Sequence, residues 1–200
     1  MYGNIVIISG PSGCGKSSLI TEILKEEKDI YFSLSSTTRE IRDGEAEGIN
    51  YHYITKEQFK QEIEENAFLE WAQVHGNYYG TSLKPIYKAL QEKKLVILDI
   101  DVQGHQIVKK KFSRILTSIF LTTPSKDELQ KRLQHRGTDD EKTIQTRLKN
   151  AKIEMDRIDE YDYLVINDDF SIALKQLHSI IKASRLKPTL EDIKSFVTKW

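Results

Sequence analysis

Apolar and polar positions alternate in blocks along this chain. Ile5, Val6, Ile7 and Ile8 form an unbroken β-branched run that stops at Ser9-Gly10. A strand with one wet face shows period-two alternation, so the unbroken run predicts a strand covered on both faces, as in a parallel sheet. From Lys16 to Glu26, Leu19, Ile20, Ile23 and Leu24 recur at helical spacing, giving a strand, a glycine loop and a helix. The same pattern returns further on. Strands are expected over Leu95–Ile100, Ile115–Leu121 and Tyr163–Ile166, and helices over Val102–Phe112, from Ser125 onward, and over Ile172–Ala183. Ser125-Lys126-Asp127-Glu128 has the spacing of a capping box. Strand and helix in turn predict an α/β fold on a mostly parallel sheet.

Two stretches break this rhythm. Residues 35–83 hold short aromatic-rich segments at Tyr51–Ile54, Leu69–Val74 and Asn77–Tyr79, with a helix over Lys56–Glu65 for which Thr55 and Gln58 are candidate caps. They are expected to form a small inserted subdomain with antiparallel pairing. Residues 135–147 are polar, contain Gly137, and are expected to stay out of the core as a mobile lid. The predicted organisation is a core domain over 1–34 and 84–184, an insert over 35–83, and an extension over 185–200 with a short helix over Leu190–Val197. No internal repeat is present.

Composition narrows the function classes. The 30 basic and 30 acidic residues cancel, which removes any global attraction to nucleic acid or anionic membrane and leaves anion recognition to a local site. One cysteine cannot form an intramolecular disulfide, in keeping with a reducing cytosol. The opening Met1-Tyr2-Gly3-Asn4 lacks the basic flank of a signal peptide, and no segment reaches the roughly 18 apolar residues of a membrane span. The expectation is a cytoplasmic chain; its oligomeric state is left open.

Gly10-Pro11-Ser12-Gly13-Cys14-Gly15-Lys16-Ser17 satisfies G-x-x-x-x-G-K-[ST] in full, between a buried-strand run and an amphipathic helix. Glycines let the backbone turn its N–H groups inward as a nest for phosphate oxygens, and the helix adds its positive end. Lys16 is expected to reach the β- and γ-phosphates of a nucleoside triphosphate, and the Ser17 hydroxyl to ligate magnesium. Asp99, at the carboxyl end of a predicted parallel strand, is the second candidate magnesium residue. Cys14, at a helix N-terminus beside Lys16, is a candidate reactive thiol.

The acceptor is indicated by a longer set of residues: Ser35-Ser36-Thr37-Thr38-Arg39-Glu40-Ile41-Arg42-Asp43-Gly44-Glu45, then Gly48, Tyr51, Tyr53, Phe68-Leu69-Glu70-Trp71-Ala72, Gly76-Asn77-Tyr78-Tyr79-Gly80-Thr81, and Ile97 to Gly104. In order and spacing these blocks resemble the guanylate kinase family over residues 4–184. The resemblance implies a P-loop nucleoside monophosphate kinase fold: a helix-flanked parallel sheet, a GMP-binding insert and a lid, with phosphoryl transfer from ATP to GMP assisted by Mg²⁺. It implies that Arg39 and Arg42 clamp the GMP phosphate with Tyr51 and Tyr79. Glu70 would read the N1–H and N2–H donors of guanine, with Ser35, Thr81 and Asp101 completing the pocket. Arg132, Arg136 and Arg147 would cover the transferring group from the lid. Ile41 stands where the family often has proline, and Asn50 where aspartate is common. Two other readings are a non-catalytic scaffold module of the same fold, which typically lacks the phosphate loop, and a kinase for another mononucleotide.

Overall fold

The computed structural model describes residues 3–42, 44–74, 76–137 and 139–200. Met1, Tyr2, Asp43 and Thr138, which belong to the opening, the arginine block and the lid segment, lie outside the described residues, as does His75. In chain order the elements are β1 (Ile5–Ser9), α1 (Lys16–Glu26), β2 (Ile30–Ser33), β3 (Ser36–Thr37), β4 (His52–Tyr53), α2 (Lys56–Glu64), β5 (Phe68–Val74), β6 (Asn77–Ser82) and α3 (Leu83–Gln91). There follow β7 (Leu95–Asp99), α4 (Val102–Phe112), β8 (Leu116–Thr122), α5 (Lys126–His135), α6 (Glu141–Met155), a 3₁₀ turn (Ile158–Glu160), β9 (Tyr163–Ile166), α7 (Phe170–Ser184) and α8 (Leu190–Val197).

Five strands make one parallel sheet in the order β2-β7-β1-β8-β9. The unbroken run of β1 is explained by two cores. Val6 and Ile8 pack with Leu19, Ile23, Leu148 and Leu177, from α1, α6 and α7, whereas Ile5 and Ile7 pack with Ile86 and Leu90 of α3 and Val108 of α4. Both faces of the strand are dry, so neither admits a polar residue. The second sheet, β4-β3-β6-β5, is built from residues 36–82. Its β5–β6 and β3–β6 pairs are antiparallel, as expected for the insert, and β3 and β4 pair in parallel, which was not anticipated.

Other differences have local reasons. β2 is partly exposed throughout and lies at the sheet edge, so its IYFS run carries little pattern. α3 carries Pro85 at its third residue, where the first turn needs no backbone donor, so proline does not break it. The Thr55–Gln58 capping box closes in both directions. That of Ser125 closes in one only: its hydroxyl accepts the Glu128 N–H, while the Glu128 carboxylate accepts from Arg132 Nε at 2.7 Å. The polar segment 135–147 comprises the end of α5, a turn with Gly137 at φ 65°, and the first half of α6. Contrary to expectation it enters the core, since Ile144 is 4% exposed. α6 reads as polar because only the stripe Ile144, Leu148 and Ala151 is buried.

Candidate active site

All five core strands run the same way, so the ends of β1, β7, β8 and β9 gather at one edge, where helix N-termini follow. There Gly10 takes φ 143° and Gly15 φ 99°. A Cβ on Gly10 would fall 1.9 Å from the Leu121 carbonyl oxygen, and one on Gly15 2.3 Å from Asn167 Nδ2, so neither position admits a side chain. Gly15 precedes α1 without a side-chain cap, and the first turn holds no acidic residue, which leaves the helix's positive end open. Lys16 Nζ donates to the Gly10 carbonyl at 2.6 Å and the Pro11 carbonyl at 3.4 Å, bonds to the loop itself.

A cleft of about 470 Å³ opens over this loop, lined by Gly10, Ser12, Gly13, Gly15, Lys16, Ser17, Asp99, Asp101, Arg132, Arg136 and Glu154, among others. The expected donor-side residues therefore meet here, with three exceptions. Pro11 lines a separate hollow between α5 and α6. The Cys14 side chain is fully buried in the core, and burial pushes its pKa up, so the expected activated thiol is not what the fold presents. Arg147 does not line the cleft; Nη1 donates to Ser12 Oγ and Nη2 to Asp139 Oδ1 at 3.1 Å.

Asp99 pairs in register with Ile8, which brings it beside the loop at the exposed end of β7. Its carboxyl is pushed up by the surrounding protein and pulled partly back by Lys16. Glu154, reached from α6 and not anticipated, is half-buried in the same cleft. Burial raises its pKa, Lys16 opposes this, and Asp101 adds to it. Asn167 was also missed: its buried Nδ2 donates to the Cys14 carbonyl at 2.8 Å, tying the end of β9 to the loop. A single carboxylate on a polar helix, or one asparagine after a strand, carries no local sign of such a role.

Five of the expected acceptor residues form two groups on the insert, Arg39, Tyr51 and Tyr79 in one and Glu70 and Thr81 in the other. In the first, the Arg39 guanidinium lies 5.6 Å from the Tyr51 ring centroid and 5.9 Å from that of Tyr53, and Tyr51 meets Tyr79 edge-on at 6.1 Å. Arg39 Nη2 also contacts both Glu45 oxygens, at 2.8 and 2.9 Å. Arg39, the Arg42 N–H and Tyr53 hold the Glu45 carboxyl down at about 2. Arg42 is exposed. In the second group, Thr81 Oγ1 donates to Glu70 Oε1 at 2.6 Å. Glu70 and Thr81 are cross-strand partners beside a register shift in β5, a type of irregularity that re-aims a side chain. Burial pushes the Glu70 carboxyl up; Thr81 opposes this, and the charge of Asp101 adds to it. Asp101, across from the insert, caps α4 by accepting the Gln103 and Gly104 N–H groups, both on Oδ1, so the cap leaves Oδ2 unused. Ser35 is half-buried next to β3, its carbonyl accepting from the His52 N–H at 3.0 Å.

No helix among the described residues is long and apolar enough to cross a membrane. The chain is similar to known proteins over nearly its whole length. It is 50% identical over 198 residues to the guanylate kinase of Wolinella succinogenes, covering 99% of this chain and 92% of that one. It is 48% identical to the guanylate kinase of Sulfurimonas denitrificans, covering 99% and 96%. The crystal structure of guanylate kinase from Anaplasma phagocytophilum superposes with a TM-score of 0.72 at 30% identity, over 93% of this chain and 88% of that one. The model of the family described as guanylate kinase matches residues 2–184, and with the relatives above this places the chain in the guanylate kinase family of ATP:GMP phosphotransferases.

Proposed function

We propose that the cleft over the phosphate loop and the two groups on the insert divide ATP:GMP phosphoryl transfer between a donor and an acceptor subsite. The observation that carries this is the presence in one chain of an open lysine-bearing phosphate loop and a half-buried Glu70 that accepts a hydrogen bond from Thr81. Triphosphate oxygens take the place of the Gly10 and Pro11 carbonyls around Lys16. Backbone N–H groups of residues 13–17 hold the β-phosphate region. Ser17 and Asp99 would hold the magnesium ion. Both offer oxygen, both are exposed at the cleft, and the Ser17 hydroxyl has no hydrogen-bond partner among the described residues. Two such donors suit a cation that keeps waters and shares substrate phosphates. When bound, magnesium would supply positive charge that offsets the negative charge on the phosphates.

On the acceptor side, Arg39, Arg42, Tyr51 and Tyr79 fix the GMP phosphate, arginine through its planar fork. Glu70 accepts from guanine N1–H and N2–H, and Ser35, Thr81 and Asp101 complete the pocket. An acceptor phosphate oxygen attacks the γ-phosphorus, the bond to the β–γ bridging oxygen breaks, and that oxygen leaves with ADP. No general base is needed, because the second ionisation of a phosphate monoester lies near about pH 6. Arg132 and Arg136 reduce the repulsion between the two anions, and Arg147, held to Ser12, sets the loop beneath them. A non-catalytic module has no use for the intact loop and cleft arginines. The cytoplasm is the setting in which both nucleotides and a free thiol fit. The test is coupled ADP release across the common nucleoside monophosphates: GMP is expected to dominate, and equal rates with AMP or UMP would overturn the acceptor assignment.

A further inference from the structure

Glu45 has no part in the chemistry above, yet it lies at the centre of the arginine–tyrosine group. Its two oxygens take Arg39 Nη2 at 2.8 and 2.9 Å. Oε2 also accepts from the Tyr53 hydroxyl at 2.7 Å and the Arg42 backbone N–H at 3.0 Å. Arg39 Nη1 donates to the Glu40 carbonyl at 2.7 Å, and two tyrosine rings flank the guanidinium. The side chains of Arg39 and Glu45 are only 12% and 20% exposed. An isolated surface arginine samples many rotamers, whereas this one is held on several sides before any anion arrives.

Two roles are open to a carboxylate so placed. It could compete with the monophosphate for Arg39, or it could hold Arg39 ready. The anchoring decides between them. A competitor must leave when phosphate binds, but Glu45 is also held by Tyr53 and by the Arg42 main chain, which do not depend on Arg39. A guanidinium has five N–H donors, and Glu45 draws on Nη2 alone, so the fork keeps donors for a second anion. The same carboxylate links the position of Arg39 to the backbone of Arg42, the other proposed clamp residue. We infer that Glu45 is a positioning residue for the acceptor site: it orders Arg39 and couples it to Arg42, so that the phosphate of the mononucleotide meets a clamp already assembled. The inference rests on the proposed role of Arg39 at the GMP phosphate.

The experiment compares wild type, Glu45→Gln, Glu45→Asp and Arg39→Ala by steady-state kinetics, with guanosine as a competitive ligand that lacks the phosphate. Glu45→Gln removes the charge and keeps the shape. KM for GMP is expected to rise about tenfold, the scale of losing one charge-assisted contact. kcat should fall less than KM rises, KM for ATP should stay put, and guanosine should bind as in wild type. Glu45→Asp, which keeps the charge on a shorter arm, should recover part of the loss. An unchanged or lowered KM for GMP in Glu45→Gln, with Arg39→Ala impaired, would overturn the inference and leave the clamp intact. A parallel loss of guanosine binding would overturn it too, since the carboxylate would then be supporting the insert's fold. If Arg39→Ala itself leaves KM for GMP unchanged, the reading of Arg39 is what fails.

Discussion

Lys16 and Glu70 show how far a single side chain's chemistry carries. Lys16 bonds only to carbonyls of its own loop, so its removal leaves the core untouched. Lys16→Met is expected to lower kcat by about 10²–10³-fold, the cost of one preorganised charge, with an unchanged circular dichroism spectrum; near-normal turnover in the folded variant would refute its role. Glu70 behaves differently, because burial raises its pKa. Protonation removes an acceptor from the guanine edge, so kcat/KM for GMP should fall as pH drops through the raised pKa of this carboxyl, and Glu70→Gln should lack that contribution and keep only the limb set by the GMP phosphate. The GMP-over-AMP preference should collapse in the same variant, since rejection of the wrong polar edge is worth about 10⁴-fold or more in sites of this kind. A carboxyl whose folded pKa is raised contributes stability below that pKa and loses it as pH rises through it. Thermal melts at pH 7 should therefore find Glu70→Gln no less stable than wild type. The role expected of Lys16 follows from its type and the motif around it, whereas that of Glu70 rests on the family resemblance. The state of Cys14 follows from neither: the letters beside it predict an activated thiol, while packing buries it and raises its pKa.

At the scale of elements, the phosphate loop is held from outside its own motif. Asn167 ties the end of β9 to the Cys14 carbonyl, 153 residues away in sequence. Asn167→Ala leaves a buried acceptor unmet, at a cost of about 1–3 kcal/mol, or a Tm lower by roughly 2–10 °C in a domain of this size. Differential scanning fluorimetry checks this, and an unchanged Tm would show that water satisfies the carbonyl. The buried Cys14 thiol should react with iodoacetamide only slowly in the native enzyme and rapidly after unfolding, as mass spectrometry of the labelled peptide would show; fast native labelling would mean that the loop opens. Helix and strand types follow closely from period, as in α1, α4 and α8, because each depends on residues within one or two turns of one another. Where a second partner competes for the same side chain, even one a turn further along the helix, the reading slips. Glu128 matches a capping box, yet its carboxylate goes to Arg132. The reading also slips at α6, which begins inside segment 135–147: three buried positions, Ile144, Leu148 and Ala151, are enough to seat a helix that looks too polar for the core.

For the whole molecule, the proposed reaction brings an acceptor held by the second sheet to the donor cleft over the first, and the charge of Asp101 on the core adds to the upward push on the Glu70 carboxyl of the insert. A reaction between two polyanions requires water to be excluded as they meet. Binding of a bisubstrate analogue is therefore expected to lower the radius of gyration in small-angle scattering as insert and α5–α6 segment draw in; an unchanged profile would mean that the unliganded form is already closed. The alternation of strand and helix in the core, its parallel sheet and the phosphate loop could be read directly from the chain, because each depends on spacing between near neighbours: alternation or its absence, helical period, glycines at set intervals. β2 carried too little pattern to be read, α3 was not anticipated, and the acceptor residues were indicated only by resemblance to a family. The placement of Glu154 in the donor cleft, the Asn167 tie, the burial of Cys14, the parallel β3–β4 pair and the Glu45–Arg39 contact could not be read from the chain. Most of these depend on residues far apart in sequence, brought together only when the sheet and helices pack, and even the Arg39–Glu45 pair, six residues apart, needs Tyr53 and the turn between them to bring charge to charge.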